Sequence, residues 1–241
     1  MDLGVLREDM VDSLQHESKG FLSTPELALA MREVPRHEFV EQSTAYEDIA
    51  QQHQGSTVLA PSTVAILLEA LAPSDADRTL IVGAGVGYTA AVVAEMTDPC
   101  LVHAVDIDRS LVITARRNLA RSGYREVLVD CRDGALGLPE YAPFDRILLE
   151  AAAIRPPKRL LDQLTPDGRL VMPLGSNPQE VATFDRRSQV ASGQPVRFKP
   201  LLVKGEQGTA IERNRTIRED AERARRTQHA RSGWEHDWID W

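Results

Sequence analysis

The stretch Thr79–Tyr88, TLIVGAGVGY, constrains this chain more than any other. Leu80, Ile81 and Val82 run into glycines at alternate positions, Gly83, Gly85 and Gly87. Thr89–Met96 then carries Ala and Val at helical spacing. An apolar strand that turns through glycines into a helix aims backbone N–H groups and the positive helix end at a ligand. The first glycine permits the tight turn and the second lets the backbone come close to what is bound. Alone, such a turn also admits the reading of a plain strand–helix connection. The spacing is G-x-G-x-G with Tyr88 following, not the G-x-G-x-x-G of dinucleotide sites. That tilts the reading away from NAD or FAD and towards S-adenosylmethionine, which has no pyrophosphate for a third glycine and a helix end to hold. Strand Leu101–Val105 ends in Asp106, an acid about 20 residues past the glycines and so placed to accept from ribose hydroxyls. Strand Glu126–Val129 leads to Arg132-Asp133-Gly134, whose acid falls at the same carboxyl edge. Either aspartate alone reads as a solvated turn residue; the pair suits an adenosine held by ribose and base.

The surrounding rhythm predicts strands at 79–83, 101–105, 126–130, 145–150 and 168–173, with helices at 88–96, 109–121 and 157–164. Alternation of this kind calls for a doubly wound parallel sheet with ligands at the carboxyl ends of its strands. After Pro173 two short strands, 181–185 and 196–202, flank Ser192-Gly193 and read as an antiparallel hairpin. A mostly parallel α/β sheet closed by a reversed hairpin is the plan of Rossmann-like methyltransferases rather than dehydrogenases. Upstream, residues 1–16 have helical apolar spacing. Ser23 or Thr24 with Pro25 and Glu26 starts a second helix that stops before Pro35. Residues 35–61 are irregular, and Ser62 is expected to cap a helix over Thr63–Leu71. The expected units are 1–61, a helical region with a loop on the acceptor side; 62–211, the core; and 212–241, a charged tail.

The chain has 241 residues and a net charge of −8, with acids and arginines balanced from Glu212 onward, so the deficit lies in the body. An acidic body repels phosphate backbones and argues against nucleic acid as a partner. No stretch has the length of a membrane span, since the charge-free run 79–94 is short and broken by glycine. The N-terminus is charged within its first eight residues, unlike a signal peptide, and a cytoplasmic location is expected. Cys100 and Cys131 read as reduced core thiols, and no His/Cys spacing suggests a metal. All three tryptophans fall in the last eight residues: Trp234, Trp238 and Trp241. That cluster suits either a tail folded over its own body or an anchor for a protein partner.

Several separate stretches point to one family. They are VPRHEFV (34–40), AYEDIA (45–50), the glycine run from Gly83 to Glu95, RDGALG (132–137), FDRILLEAAA (144–153), QLTPDGRLVMPLG (163–175) and PVRFKPL (195–201). In these the chain resembles the protein-L-isoaspartate (D-aspartate) O-methyltransferases from about Leu27 to Leu202. The resemblance implies a Rossmann-like methyltransferase fold, S-adenosylmethionine as methyl donor, and damaged proteins or peptides with L-isoaspartyl residues as acceptor. By the same resemblance Gly83, Gly85 and Gly87 form the cofactor loop. Asp106 takes the place of the ribose acid, and Asp133-Gly134 that of the adenine-side pair.

The chain also departs from the family. The family's acceptor loop typically reads GQTISAP followed by His; here it is Gly55-Ser56-Thr57-Val58-Leu59-Ala60-Pro61-Ser62. Leu59 stands where a serine hydroxyl near the reacting groups is expected, Ser56 replaces glutamine, and Ser62 replaces the histidine beside the cofactor. Ser56, Thr57 and Leu59 are therefore the candidate acceptor-side residues, and Ser62 joins the cofactor set. Ile81 replaces an acid in the first strand and Glu150 a threonine near the site. Methyl transfer from a sulfonium to a carboxylate needs no general base, because the acceptor is already ionised at neutral pH. Positioning must supply most of the rate, about 7–11 kcal/mol in well-oriented reactions. One lost hydroxyl on a charged acceptor costs roughly 1.5–3 kcal/mol, which slows such an enzyme without abolishing it. Two further readings stand beside the isoaspartyl enzyme: a non-catalytic relative that binds the cofactor, and a methyltransferase with a different acceptor.

Overall fold

The computed structural model describes residues 2–202; the charged tail and its tryptophans lie outside the described residues. In chain order the elements are α1 (Leu3–Gln15), α2 (Pro25–Glu33), β1 (Gln51–His53), β2 (Ser56–Val58), α3 (Pro61–Leu71), β3 (Thr79–Val82), α4 (Tyr88–Met96) and β4 (Val102–Asp106). There follow α5 (Arg109–Arg121), β5 (Leu128–Cys131), β6 (Phe144–Leu149), α6 (Lys158–Asp162), β7 (Leu164–Leu174), β8 (Gln179–Phe184) and β9 (Gln189–Val196).

The seven-stranded sheet has the order β5-β4-β3-β6-β7-β8-β9. Its strands are parallel from β5 to β7, and β8 and β9 run antiparallel. This is the doubly wound plan with a reversed hairpin that the sequence predicts. From β3 the winding goes one way through β4 and β5 and the other way through β6 and β7, so the crevice between β3 and β6 is the switch point where such sheets bind ligands. Strand β3 shows how the layers form. Ile81 packs with α2, α3 and α4 on one face, while Leu80 and Val82 pack with Leu160 of α6 and Leu138 on the other. Both faces are apolar, as a covered parallel strand requires.

Three expectations are corrected here. The β8–β9 turn is not Ser192-Gly193 but 185–188, where Asp185 Oδ1 accepts from Arg187 N and Ser188 N, both at 2.7 Å. A short carboxylate that bonds the backbone ahead of it makes its own turn. Ser192 and Gly193 lie inside β9, which ends at Val196 rather than continuing to 202. Helix α6 is also shorter than expected, because Leu164 already pairs with Phe144 in the sheet. Finally, Cys100 and Cys131 are exposed, not core. Cys131 is the last residue of an edge strand and Cys100 lies in a 3-10 turn with no buried residue.

The sheet's two edges differ. β5 is only four residues long, and Arg116 Nε donates to Val129 O at 2.7 Å. β9 is exposed along nearly its whole length, carries Gly193 and Pro195, and meets β8 with two register shifts.

Two helices take their caps from distant carboxylates. Pro61 occupies the first position of α3 behind Ala60, so Ser62 is not the cap that was expected. Its backbone N instead donates to Asp48 Oδ1 at 2.9 Å. At α2, Glu69 of α3 accepts from the backbone N of Ser23 and Thr24 (2.7 and 2.8 Å) and from both hydroxyls (3.0 and 2.9 Å). Partial burial pushes the Glu69 carboxyl up, but these bonds outweigh it and hold it below the ordinary value. Glu69 therefore stabilises the α2–α3 junction as an anion. Glu69→Ala is expected to cost about 2 kcal/mol at neutral pH. The depressed carboxyl contributes above its unfolded value and loses that contribution as pH falls through the folded one. Melting temperatures of the two proteins should thus draw together as pH falls below the ordinary glutamate value.

Candidate active site

The carboxyl rim of the sheet is level by register. Val82 pairs with Val105 on one side and Leu149 on the other, and Asp106 pairs with Cys131. The next residues therefore stand in one row: Gly83 after β3, Glu150 after β6, and Asp106 at the end of β4. The glycine bend is laced sideways to β4, with Gly83 N and Ala84 N both donating to Val105 O (2.8 and 2.9 Å). Asp106 Oδ2 accepts from Gly85 N at 3.0 Å and Oδ1 from Asp108 N at 2.9 Å. Burial pushes the Asp106 carboxyl up, and these backbone donors pull it back. Gly83, Gly85 and Gly87 all have positive φ, at 98°, 53° and 93°. These are values that side-chain-bearing residues avoid.

A cavity of about 490 Å³ opens above this row. Its floor includes Gly83, Asp106, Asp108, Gly134 and Glu150, and Gln54–Ser56 with Lys199–Leu202 form its roof. A narrow cleft shares Glu150 with this cavity and is lined by Gly85 and Thr89, by Thr57 and Leu59, and by Arg36.

The structure thus brings together Gly83, Asp106, Gly134 and Ser56 on the large cavity, and Gly85, Thr57 and Leu59 on the cleft. Three expected residues line neither cavity. Gly87 packs on α5, where an added Cβ would lie 3.2 Å from Leu119 Cγ. Asp133 Oδ1 accepts from Ala135 N at 3.0 Å and closes the turn that presents Gly134. Ser62 is engaged through its backbone by Asp48. Gly134 admits nothing larger, because a Cβ there would collide with Val82 Cγ1.

The loop that reads as irregular in the sequence contains a hairpin, β1–β2, turned by Gln54 and Gly55 at positive φ (47° and 76°), as a two-residue turn between twisted strands requires. The hairpin backbone is tied at several points. Lys199 Nζ donates to Gly55 O at 2.8 Å. The fully buried Arg36 donates from Nη2 to Leu59 O at 2.7 Å and from Nε to Ala45 O at 2.9 Å. Its guanidinium carbon lies 4.5 Å above the Tyr88 ring, a stacked contact that favours a desolvated cation. Of the histidines in this region, His37 packs against Tyr46, bonding its hydroxyl through Nδ1 at 2.6 Å. His53 lines a separate depression with Val40 and Thr44. Among the described residues no group of His, Cys, Asp and Glu could hold a metal ion.

A model of the protein-L-isoaspartate(D-aspartate) O-methyltransferase family matches residues 6–207. The chain belongs to this family. Relatives so named include one from Aeropyrum pernix, 39% identical over 83% of this chain and 79% of its own length. Another is protein-L-isoaspartate O-methyltransferase 2 of Marinobacter nauticus, 40% identical over 86% and 96%. Among solved structures, a protein-L-isoaspartate O-methyltransferase superposes with a TM-score of 0.71 at 30% identity, covering 87% of this chain and 69% of that one. A Plasmodium falciparum protein described as a putative member, in complex with S-adenosyl-L-homocysteine, shares the fold with a TM-score of 0.71 at 20% identity, covering 81% and 98%.

Sequence reasoning passed over four residues in this family member: Arg36, Asp48, Asp108 and Lys199. Only Arg36 left a signal, as a lone arginine in the otherwise apolar start of VPRHEFV. The other three act on backbone atoms far away in sequence or line a wall, and spacing does not reveal that. The double engagement of Asp106 predicts the effect of Asp106→Asn. An amide has one acceptor oxygen for two N–H donors, so one bond is lost. The expected cost is about 1.5–3 kcal/mol in urea unfolding, with faster hydrogen exchange at the Gly85 or Asp108 amide.

Proposed function

We propose that the protein transfers the methyl group of S-adenosylmethionine to the carboxylate of L-isoaspartyl residues in damaged proteins and peptides. Membership of the family supports this reading. The observation that carries it is the placement of the acceptor hairpin directly over a cavity at the sheet's switch point. The cavity suits the donor on its own terms: its lining takes in the residues that follow β3, β4 and β6 together with Gly134, and it is acidic at Asp106, Asp108 and Glu150. We assign adenine to the Gly134 end, ribose to Asp106, and the rest of the donor to the Gly83–Gly85 bend. When bound, S-adenosylmethionine supplies an electrophilic methyl group on a cationic sulfur.

The chain's own residues then have to bring one carboxylate into line. Ser56 faces the large cavity, while Thr57 and Leu59 face the cleft that adjoins it through Glu150. We assign acceptor positioning to this strip. Because the hairpin is fixed through its backbone by Lys199 and Arg36, Ser56 and Thr57 are presented without loop closure around the acceptor. An ester at the isoaspartyl carbonyl has a better leaving group than the free acid, which favours succinimide formation and return to normal aspartate. A polypeptide acceptor is consistent with the net charge of −8, which opposes nucleic acid. Among the described residues no helix is long and apolar enough to cross a membrane, and we assign the protein to the cytoplasm.

The test is transfer of radiolabelled methyl groups to an isoaspartyl peptide beside its aspartyl twin. Label is expected in the first alone, and label in both or neither defeats the reading. Leu59→Ser returns a hydroxyl to the cleft. It is expected to raise kcat/KM about tenfold, the worth of one hydrogen bond to a charged acceptor.

A further inference from the structure

Glu150 is the first residue past β6, at the point where the winding of the sheet reverses. Its backbone N donates to Val82 O at 2.8 Å, and a Cβ added to Gly83 would lie 3.3 Å from its own Cβ. Glu150 lines both the large cavity and the cleft, and so marks where the two meet. Oε1 is sealed from solvent and has no hydrogen-bond partner among the described residues. Buried oxygens of this kind are rare in folded proteins because the lost hydration is not replaced. A carboxyl left so at the junction of two ligand cavities has its partner in the ligand.

The chemistry of that partner follows from strand order, on the methyltransferase reading, on which this inference rests. Adenine at the end of β5 and ribose at the end of β4 leave the ends of β3 and β6 for the next part of the donor, its sulfonium. There the row holds Gly83, which has no side chain, and Glu150. We propose that Glu150 is the counter-charge for the sulfonium, so that the site distinguishes the cationic donor from S-adenosylhomocysteine, its neutral thioether product.

The surroundings of Glu150 make this distinction depend on pH. Burial pushes its carboxyl up to about 7, with Asp106 raising it further and the Thr89 hydroxyl pulling it down. The other charged or titratable groups lining the two cavities are Tyr88 from α4, Asp108 beyond β4, Lys199 beyond β9, and Arg36 in the cleft. The glycine bend and the hairpin turn, Gln54 to Thr57, add none. Near neutrality the empty site therefore holds this carboxyl partly protonated, and a cation beside it favours the ionised form. Donor binding drives off the proton, so donor affinity rises with pH up to about 7 and is level above. After transfer the sulfur is neutral, so the counter-charge no longer contributes to binding, and Glu150 takes back its share of a proton from solvent as in the empty site.

Calorimetry of the protein with S-adenosylmethionine and with S-adenosylhomocysteine tests this, at pH 6, 7 and 8 and in buffers of different ionisation enthalpy. Wild type is expected to bind the donor about tenfold more tightly at pH 8 than at pH 6. It should release close to one proton at pH 6 and about half at pH 7, while the thioether shows neither effect. Glu150→Gln should flatten the profile and reduce the preference for donor over product about tenfold, whereas Glu150→Asp should keep the pH dependence. Thermal melting establishes that each variant is folded. Proton release that persists in Glu150→Gln would assign it to Asp106 or Asp108 and overturn the proposal. An unchanged ratio of donor to product affinity would also overturn it. Should the glutamine variant fail to fold, the wild-type contrast between the two ligands decides alone, and its absence overturns the proposal. Failure of wild type to bind either ligand defeats the methyltransferase reading as well, a result distinct from binding without proton release.

Discussion

The carboxylate of Asp106 holds the rim together. Its two oxygens accept from Gly85 N and Asp108 N, so one buried side chain fixes the turn after β3 against the turn after β4. Val105 O adds two further bonds from the bend. A glycine run is costly to order because it has so much backbone freedom to lose, and here the order comes from the neighbouring strand. The bend can therefore stay free of side chains where a ligand must approach. Register does the remaining work by setting Glu150 level with Gly83.

The acceptor side is built on the opposite principle. Asp48, Arg36 and Lys199 all reach backbone atoms on or beside the hairpin, namely Ser62 N, Leu59 O and Gly55 O. Such bonds are indifferent to which side chain the hairpin carries. The loop sequence can drift, as it has at Ser56, Leu59 and Ser62, while its path over the cavity is kept. Of the changed residues, Ser56 lines the large cavity and Leu59 the cleft, and the residues that hold their backbone in place lie elsewhere in the chain.

What could be read from the sequence follows the same division. The glycine bend, Asp106, the alternation of strands and helices and the reversed hairpin were legible because each depends on local pattern. The hairpin's turn was not, since Ser192-Gly193 is a stronger turn signal than Asp185-Arg186-Arg187-Ser188. The Asx bonds of Asp185 decided it. The β1–β2 turn was missed for a similar reason, because Gln-Gly is an uncommon pair for two successive positive φ angles. Cys131 was expected to be buried because its strand is apolar, but strand position in the sheet sets burial, and β5 is an edge. Asp133 was read as a ligand residue; in the structure its Oδ1 accepts from Ala135 N and closes the turn that presents Gly134 to the cavity. The direction of the Glu150 side chain, on which the site's charge depends, is decided by the crossing of β3 and β6 and leaves no trace in local spacing.

The sheet's margins have a consequence for a protein that works among damaged polypeptides. Partly unravelled chains carry bare strands that will pair with any open edge they meet. β5 offers four residues, with Val129 O already taken by Arg116. β9 is long and exposed, but Pro195 lacks an N–H, Gly193 weakens the strand, and two register shifts bend it. An intruding strand finds no straight ladder on either side. The enzyme can sit beside aggregation-prone clients and handle single residues without being recruited into their tangles.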